Sequence, residues 1–240
     1  MTKSDPKLNS SSLAELRDVV FETPGSSKDR KLLFRDLSLT VFRTSGLALL
    51  GPNGRGKTTI LRLFLGEALP TRGTRRLCCD HRRIGYMPQN FRTGLFPWLS
   101  IRRNIALYES EDFDRGFFEE AIKSFSLGLS LNARVQTLSG GEQQLLLLCL
   151  TLARNTELLL LDEPFSAVDL SRRSRARDLV RKRISGQSLG IVFVSHDIED
   201  AATLGQVALV LSGVESGSFR MVQNNADGRF RDDILASFRH

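Results

Sequence analysis

A glycine-rich loop between an apolar run and a helix-compatible stretch constrains this chain more than any other feature. Residues 51–59 have the sequence Gly-Pro-Asn-Gly-Arg-Gly-Lys-Thr-Thr and follow the apolar run Leu-Ala-Leu-Leu at 47–50. A glycine, four residues and then Gly-Lys-Thr is the pattern of a phosphate-binding loop, in which backbone N–H groups turn inward on phosphate oxygens. The helix that follows would add the positive potential of its N-terminus. The pattern predicts a strand, a loop and a helix that together bind phosphates.

The residues of this loop have separate expected roles. Lys57 should reach the β- and γ-phosphates, and Thr58 should offer its hydroxyl to Mg²⁺. The alternative, a plain glycine-rich turn, is disfavoured by the strand before the loop and the helix after it. The predicted nucleotide-binding residues of the loop are Gly51, Pro52, Asn53, Gly54, Arg55, Gly56, Lys57, Thr58 and Thr59.

Two adjacent carboxylates stand at the end of a purely apolar run. Four leucines at 158–161 precede Asp162 and Glu163, and Pro164 follows directly. Such a run is typical of a buried parallel strand, whose end would lie at the same edge of the sheet as the phosphate loop. There Asp162 would hold Mg²⁺, directly or through water, and Glu163 would act as general base on the attacking water. The alternative, that the two acids cap the next helix, is disfavoured by Pro164.

The order of apolar segments predicts the fold class. Near the N-terminus Leu37, Leu39 and Val41 alternate with polar residues between turn-forming breaks, which favours antiparallel strands. Residues 95–135 are rich in helical candidates, and from residue 138 onward helices and apolar strands alternate, which favours a parallel sheet. We expect an α/β fold with a P-loop NTPase core and a mixed or parallel sheet. An N-terminal antiparallel β subdomain and a helical subdomain at about 95–135 complete the prediction.

Composition excludes several classes of protein. The 240 residues are 41% hydrophobic and 25% charged, as in a globular domain. The longest apolar run, residues 145–153, is far shorter than the ~20 residues of a membrane-spanning helix, so we expect no transmembrane segment. Residues 1–12 lack the apolar stretch of a secretory signal, and we interpret them as a disordered tail of a cytoplasmic protein.

The net charge and the cysteines have ordinary interpretations. The charge is +7, but the arginines are scattered, so solvated faces, phosphate ligands or anionic lipid headgroups explain it better than nucleic acid. Cysteines 78, 79 and 149 have neither metal-ligand nor disulfide spacing. We therefore expect no nucleic-acid partner, and we expect the cysteines to be reduced and structural.

A further motif connects these segments to a known family. Residues 138–144, Leu-Ser-Gly-Gly-Glu-Gln-Gln, resemble the signature motif of ABC ATPases. The motif stands in the expected order with the phosphate loop, with Gln89 in Tyr-Met-Pro-Gln-Asn, with Ser-Ala-Val-Asp at 166–169, and with His196 in Val-Ser-His-Asp. The resemblance covers about residues 16–211 and implies an ABC ATPase domain over 13–215, followed by a tail at 216–240 without an assigned role.

The resemblance implies a shared ATP site. In the family two subunits pack head to tail, so ATP would lie between the phosphate loop of one and Ser139, Gly140 and Gly141 of the other. A helix cap is the alternative for Ser139, but it does not explain the glycine pair. By the same resemblance His196 positions phosphate and water, and Gln89 links Mg²⁺ and water to the helical subdomain.

Asp169 is similar to the family residue that communicates between the two opposed ATP sites. An aspartate at the start of a helix is also a good N-cap, and both roles remain open.

The chain departs from the family pattern at two positions. Leu145 stands where an arginine commonly follows the signature, so a surface contact of relatives is expected to be missing. By spacing, the aromatic residue that usually stacks on adenine falls at Thr23. Whether Phe21 takes its place stays open from the sequence.

The segment at 93–101 favours a transporter. It resembles ATPase subunits of nitrate, sulfonate and taurine importers, where it helps form the groove for a permease helix, and Phe96 and Trp98 would anchor that contact unless they are buried. The implied cofactors are ATP and Mg²⁺. The implied partners are a multi-span membrane permease, a second ATPase subunit, identical or related, and a substrate-binding protein. The implied location is the cytoplasmic face of the cell membrane.

Other functions remain as alternatives. Signature motifs with Glu142 also occur in lipid and peptide exporters, so direction and substrate are not given by the resemblance. A non-transport ABC ATPase of DNA repair or translation is disfavoured, because such proteins usually carry paired cassettes, a long coiled coil or zinc modules. A stand-alone P-loop kinase or GTPase is disfavoured by the signature at 139–141.

Overall fold

The strands form two sheets. The computed structural model describes residues 11–25, 30–128, 130–211, 217–225 and 228–238. Within these residues the strands are β1 Ser12–Glu22, β2 Leu32–Phe42, β3 Gly46–Leu50, β4 Arg72–Leu77, β5 Ile84–Met87, β6 Leu158–Asp162, β7 Gly190–Val194, β8 Val207–Leu211 and β9 Phe219–Gln223.

The helices lie between these strands or after them. In the same described ranges they are α1 Lys57–Leu65, α2 Ile101–Tyr108, α3 Arg115–Ser124, α4 Gly140–Ala153, α5 Leu170–Gln187, α6 Ile198–Leu204 and α7 Phe230–Ser237.

Helix starts follow local chemistry. Ser100, Asp114, Ser139, Asp169 and Asp197 each accept a backbone N–H of the first turn in their own helix. These side chains satisfy donors that have no partner inside the helix, which fixes where α2 to α6 begin.

The smaller sheet is antiparallel. Its strand order is β2-β1-β4, with β1 in the centre. The alternating apolar positions 37, 39 and 41 lie on one buried face of β2, so the predicted antiparallel subdomain is confirmed. β4 has the sequence Arg-Gly-Thr-Arg-Arg-Leu and no apolar alternation; it joins the sheet through backbone pairing with β1.

The larger sheet carries the P-loop core. Its order is β5-β6-β7-β3-β8-β9, parallel from β5 to β8, with β9 antiparallel at the edge. β3 and β5 follow each other along the chain among the strands of this sheet, but β6 and β7 lie between them in it, so the chain crosses over between the two strands. The predicted mixed α/β fold is therefore confirmed.

Both faces of this sheet are buried, which explains its continuous apolar strands. In β6, Leu158 and Leu160 pack in the cluster that contains α1 and the smaller sheet. Leu159 and Leu161 pack on the opposite face, in the cluster that contains α4. One strand thus contributes to two cores, and its end emerges between them.

The apolar helix α4 is buried on all sides. Every residue from Gln143 to Ala153 is buried, so the predicted buried helix is confirmed. Leu145 is completely buried in the core, at the position where relatives commonly carry an arginine. An arginine there would have to displace packed side chains.

The segment after residue 215 takes part in the fold. β9 pairs antiparallel with β8 and completes the larger sheet. α7 places Phe230 and Ile234 in the core against the helices of that face. At the other end, residues 1–10 of the predicted tail lie outside the described residues, whereas Ser12 is the first residue of β1.

In the part of the chain that the structure describes, no helix is both long enough and apolar enough to cross a bilayer.

Candidate active site

The larger sheet brings four predicted segments to one edge. β5, β6, β7 and β3 are consecutive parallel neighbours, so their carboxyl ends lie side by side. β3 leads into the glycine loop at 51–56, and β7 leads into His196. β6 ends at Asp162 before Glu163, and β5 leads toward Gln89. Residues far apart in sequence are thereby collected at the place where open α/β sheets bind ligands.

Glycine is required at two positions of the loop. Gly56 has φ +94°, and a Cβ built there would lie 2.4 Å from Cζ of Phe34. Gly51 has φ +142°, and its Cβ would lie 2.6 Å from the carbonyl oxygen of Leu211. These glycines let the loop turn tightly between β3 and α1.

Lys57 lies inside the loop. Its Nζ donates to the carbonyl oxygens of Gly51, at 2.7 Å, and Pro52, at 2.9 Å. Burial lowers the pKa of the Lys57 ammonium, while the carboxylates of Glu163 and Asp162 act in the opposite direction. The ammonium is thus held at the centre of the loop, close to both acids.

Thr58 and Asp162 face each other across the gap between α1 and β6. The Thr58 hydroxyl donates to Oδ2 of Asp162 at 2.8 Å. The other oxygen, Oδ1, is buried and has no hydrogen-bond partner among the described residues. Burial raises the pKa of Asp162, an effect that the Thr58 hydrogen bond opposes. A buried carboxylate oxygen without a partner, beside a hydroxyl, is a donor set that fits a hard divalent cation such as Mg²⁺.

Glu163 is held by two side chains at once. Its Oε1 accepts from Nε2 of Gln89 at 3.1 Å and lies 3.0 Å from Nε2 of His196. The backbone of Glu163 has φ +51°, which is uncommon for a residue with a side chain. Its N–H donates to the carbonyl of Val194, at the end of the neighbouring strand β7. The carboxylate is therefore fixed in orientation at the edge of the sheet.

Gln144 is a site residue that the sequence reasoning missed. It is fully buried in α4, and its Nε2 donates to the carbonyl oxygen of Glu163 at 3.0 Å and to the Ser166 hydroxyl at 3.2 Å. Its Oε1 accepts from the N–H of Ala167 at 2.7 Å. The available signal was an amide side chain next to an uninterrupted run of buried leucines, where an unsatisfied polar group would be costly.

A cavity of 390 Å³ opens where these elements meet. It is large enough for the phosphates of a nucleotide, and its walls carry the loop, the base candidate and Gln89. The residues that line it are Thr23, Lys31, Leu33, Asn53, Gly54, Gly56, Lys57, Thr58, Thr59, Gln89 and Glu163.

A second cavity of 730 Å³ adjoins the first through Thr23 and Thr59, which line both. Its walls include Arg30, Arg62 and Phe21. Phe21 is only 8% exposed, and its ring packs against that of Phe34, with ring centroids 6.4 Å apart. Phe21 is therefore a core residue with little free ring surface toward the cavity.

The signature residues form the start of α4. The Ser139 hydroxyl and the Ser139 N–H both donate to Oε2 of Glu142, at 2.7 and 2.9 Å, and the Glu142 N–H donates back to the Ser139 hydroxyl. These bonds, the Ser139 hydroxyl first, hold the pKa of Glu142 below its usual value. A Cβ at Gly141 would lie 2.8 Å from the carbonyl of Ala167, so glycine is needed for this close approach.

Not all predicted site residues come together within one chain. Among the described residues that line the phosphate cavity, none is Ser139, Gly140, Gly141 or Asp169. Asp169 caps α5: its carboxylate accepts from the N–H of Arg172 at 3.0 Å and from the Ser171 hydroxyl at 2.5 Å. The capping role of Asp169 is thus directly visible.

Phe96 and Trp98 are exposed. Their rings contact each other edge to face at 5.6 Å, with 42% and 65% of each residue accessible. Buried Asn104 fixes their loop by accepting from the Phe96 N–H at 2.8 Å and donating to the Phe96 carbonyl at 3.0 Å. The alternative that both rings are buried is wrong.

A family model described as "ABC transporter" matches residues 34–166. The chain belongs to the ABC transporter family. The match runs from β2 through the phosphate loop, Gln89, the signature and Glu163 to Ser166, so it covers most of the elements that form the cavity. This ABC transporter subunit is an ATP-binding, ATP-hydrolysing protein.

Relatives of this ABC transporter subunit include several import proteins. An aliphatic sulfonates import ATP-binding protein, SsuB of Granulibacter bethesdensis, is 34% identical over 203 residues, which cover 85% of this chain and 83% of the relative. The nitrate transport protein NasD of Klebsiella oxytoca is 32% identical over 194 residues, covering 75% of this chain and 73% of the relative. A zinc import ATP-binding protein, ZnuC of a Chelativorans species, is 32% identical over 201 residues, covering 84% and 68%.

Solved structures share the fold. The ATP-binding subunit of an ABC transporter superimposes with a TM-score of 0.78 at 19% identity, covering 95% of this chain and all of that one. An ATP-binding cassette in a dimeric post-hydrolysis state bound to ADP and Pi has a TM-score of 0.72 at 23% identity, covering 88% and 98%. At these identities the likeness establishes the ABC cassette fold.

Proposed function

We propose that this chain is the ATP-hydrolysing subunit of an ABC importer and works with a separate membrane permease. The observation that carries the hydrolytic part is the carboxylate of Glu163, held between Gln89 and His196 at the rim of the phosphate cavity. A base must be within hydrogen-bond reach of the water it activates, and this carboxylate faces the place where a γ-phosphate would lie.

The loop would hold the triphosphate. The N–H groups of the loop would turn inward on the phosphates, and the N-terminus of α1 would add positive potential. Lys57 would exchange its contacts with two carbonyls for contacts with phosphate oxygens. Asp162 and Thr58 would hold Mg²⁺, with the unpartnered Oδ1 of Asp162 available as a ligand. Mg²⁺ bound there would neutralise charge on the β- and γ-phosphates.

Hydrolysis needs a water in line with the γ-phosphate. As the water oxygen attacks the γ-phosphorus, the bond from that phosphorus to the bridging oxygen of the β-phosphate would break, so that ADP leaves. Glu163 would accept the proton of the water, which ends on the carboxylate. Gln89 and His196 keep the carboxylate in one orientation before the reaction, and His196, with 46% of its side chain exposed, is free to contact the γ-phosphate as well. Preorganisation of this kind lowers the barrier without a cost at the moment of reaction.

The complete site would be formed by two subunits. Ser139, Gly140 and Gly141 lie at the N-terminus of α4, a second anion-binding helix end, and they do not line the cavity of their own chain. A second subunit placed head to tail would bring this helix end to the γ-phosphate. Asp169, at the start of α5, would lie at the same interface.

The importer assignment rests on the relatives and on one surface. SsuB, ZnuC and NasD are named for import or transport of sulfonates, zinc and nitrate, which favours import over export. Exposed Phe96 and Trp98 offer apolar anchors for a permease helix, and aromatic anchors of this kind dominate interface energies. We place the subunit at the cytoplasmic face of the membrane and include a substrate-binding protein among the importer's components.

Copurification would test this function. The tagged chain is expressed together with its neighbouring genes, and the detergent-solubilised membrane fraction is purified. We expect a multi-span protein in stoichiometric amount, and ATP-dependent uptake when the complex and a binding protein are placed in vesicles. The Lys57→Ala variant is the matched control, because it should copurify equally but fail to drive uptake. Copurification with ribosomes or DNA instead of a membrane protein would exclude the proposal.

A further inference from the structure

His196 stands between two residues whose positions are fixed. On one side, the Ser195 hydroxyl donates to Oδ2 of Asp200 at 2.5 Å and accepts from the N–H of Asp197 at 3.0 Å. On the other side, Asp197 is the N-cap of α6, and its carboxylate accepts from the N–H of Glu199 in the first turn of that helix. The backbone that carries the imidazole is therefore tied at both ends.

Two arginines of α5 hold these carboxylates. Arg173 reaches Asp197 at 3.2 Å and Asp200 at 3.9 Å, and Arg177 reaches Asp200 at 3.2 Å. The Asp200 side chain is 1% exposed, and burial raises its pKa, an effect opposed by the Ser195 hydroxyl and Arg173. A buried carboxylate costs free energy unless it is paired, so this arrangement needs all its partners.

The network adjoins the base itself. A cavity of 200 Å³ is lined by His196 and Glu163 together with Arg173, Asp200 and Ser195. The imidazole contacts Oε1 of Glu163 at 3.0 Å, so its position depends on the tied backbone together with this contact.

Two other ion pairs of α5 lie at the surface and have a different character. The Arg181–Asp178 pair and the Lys182–Glu120 pair both have side chains that are more than half exposed, and neither involves a residue next to His196. Exposed pairs contribute little to stability. The network of Asp197, Asp200, Arg173 and Arg177 differs from these pairs because its side chains are less exposed and Asp197 is adjacent to the candidate catalytic His196.

We propose that Asp200 and Arg173 are positioning residues for hydrolysis: through Ser195 and Asp197 they hold His196 at the distance from Glu163 that the reaction needs. The proposal rests on the role assigned to His196 above. Because Arg173 lies one turn after Asp169 on α5, the network also connects the predicted subunit interface with the histidine.

A double-mutant cycle in ATP hydrolysis tests the proposal. In the full-length chain, Asp200→Asn and Arg173→Lys should lower kcat by about 10- to 100-fold with little change in KM, as expected for a small misplacement of a reacting group. In a His196→Ala background the same changes should alter the remaining rate by no more than about twofold, because the residue they position is gone. Arg181→Ala is the matched control on the same helix and should keep the wild-type rate.

Each result has a separate meaning. An equal loss of rate with and without His196, or no loss in Asp200→Asn, would overturn the positioning role. A wild-type rate in His196→Ala alone would refute the proposed role of His196 itself, and the positioning role with it. If Asp200→Asn folds poorly, Ser195→Ala repeats the test with a smaller change. It removes only the hydroxyl that joins Asp200 to the Asp197 N–H.

The imidazole can also be observed directly. Histidine side-chain NMR signals of the nucleotide-free protein are assigned to His196 with His196→Gln, and His81 serves as internal reference. Asp200→Asn and Ser195→Ala should shift the His196 signals and leave those of His81 unchanged. Unshifted His196 signals would overturn the proposal. This test does not depend on ATPase activity, so it decides the question even if the rate in the His196→Ala background is too low to measure.

Discussion

The side-chain amide of Gln144 donates to the backbone carbonyl of Glu163 at 3.0 Å and so joins the signature helix to the candidate base. Gln144 also accepts from the Ala167 N–H at 2.7 Å, so one buried side chain spans the loop after β6. Ser139 caps the start of α4, where the γ-phosphate of an opposing subunit's nucleotide would bind in the proposed dimer. A shift of this helix would therefore move the backbone of Glu163 through the Gln144 hydrogen bond.

Gln144→Leu should destabilise the chain and slow hydrolysis. The substitution leaves the Ala167 N–H without its acceptor and removes the amide donor from the Glu163 carbonyl, which keeps its contacts with Ser166. An unsatisfied polar group away from water costs about 1–3 kcal/mol. Denaturant unfolding and ATPase rates measure both effects. Gln143→Leu is the matched control, because among the described residues the Gln143 side chain makes one such bond, to the Leu138 carbonyl at 2.9 Å. A wild-type rate in Gln144→Leu would contradict the link between α4 and the base.

Glu163→Gln should retain ATP binding and lose turnover. An amide keeps the shape of the carboxylate but accepts no proton from water, so the rate should fall by at least about 100-fold. Dimerisation with ATP, followed by light scattering, should increase because the bound nucleotide persists. If the variant kept most of its ATPase activity, Glu163 would not be the base.

Asp162→Asn should weaken the binding of Mg²⁺ at the nucleotide site. The apparent affinity for Mg²⁺ in the presence of ATP should fall by about 10- to 100-fold or more. Losses of that size follow even when the mutated residue only hydrogen-bonds to a metal ligand. Titration of Mg²⁺ with a fluorescent ATP analogue measures it. Binding of the metal-free analogue, measured in EDTA, is the internal control and should not weaken. Equal Mg²⁺ affinities in both proteins would place the metal elsewhere.

Ser139→Arg should allow ATP binding and prevent the closed dimer. The arginine would introduce bulk and charge where the signature should meet the opposing γ-phosphate. Chromatography with ATP in the Glu163→Gln background should show monomer. Ser139→Ala is the control for loss of the helix cap, which costs about 0.5–2 kcal/mol of stability but adds no bulk. A dimer that still formed with Ser139→Arg would exclude the head-to-tail arrangement.

The sequence predicted the segments whose chemistry is local. The run of leucines before Asp162 predicts a buried strand, and the glycines before Lys57 predict a tight loop. β4 was not predicted, because its arginine-rich sequence has no apolar alternation. It becomes a strand by backbone pairing with β1, and side-chain patterns do not indicate such pairing. Asp200 contacts arginines more than twenty residues away in sequence, so its network appears only when α5 and α6 are packed together.

The nucleotide base should be selected only weakly. Thr23, which stands at the position expected for an adenine-stacking ring, accepts the Lys31 N–H at 2.9 Å, and Phe21 is buried against Phe34. Without an open ring, affinity would come mainly from the triphosphate that ATP and GTP share. We expect their dissociation constants to agree within about tenfold, or ~1.4 kcal/mol, in competition with a fluorescent ATP analogue.

Substitutions at both positions separate the possible sources of base recognition. Thr23→Tyr should tighten ATP binding, because stacking of a base on an aromatic ring is worth about 1–3 kcal/mol in nucleic-acid complexes. Thr23→Val is its matched control, since it removes the hydroxyl bond to Lys31 without adding a ring. Phe21→Ala should lower the free energy of unfolding by about 3–5 kcal/mol, as for a core phenylalanine, and leave nucleotide selectivity unchanged. A preference for ATP beyond about a hundredfold, or ~2.7 kcal/mol, that persisted in Phe21→Ala would mean that another residue reads the base.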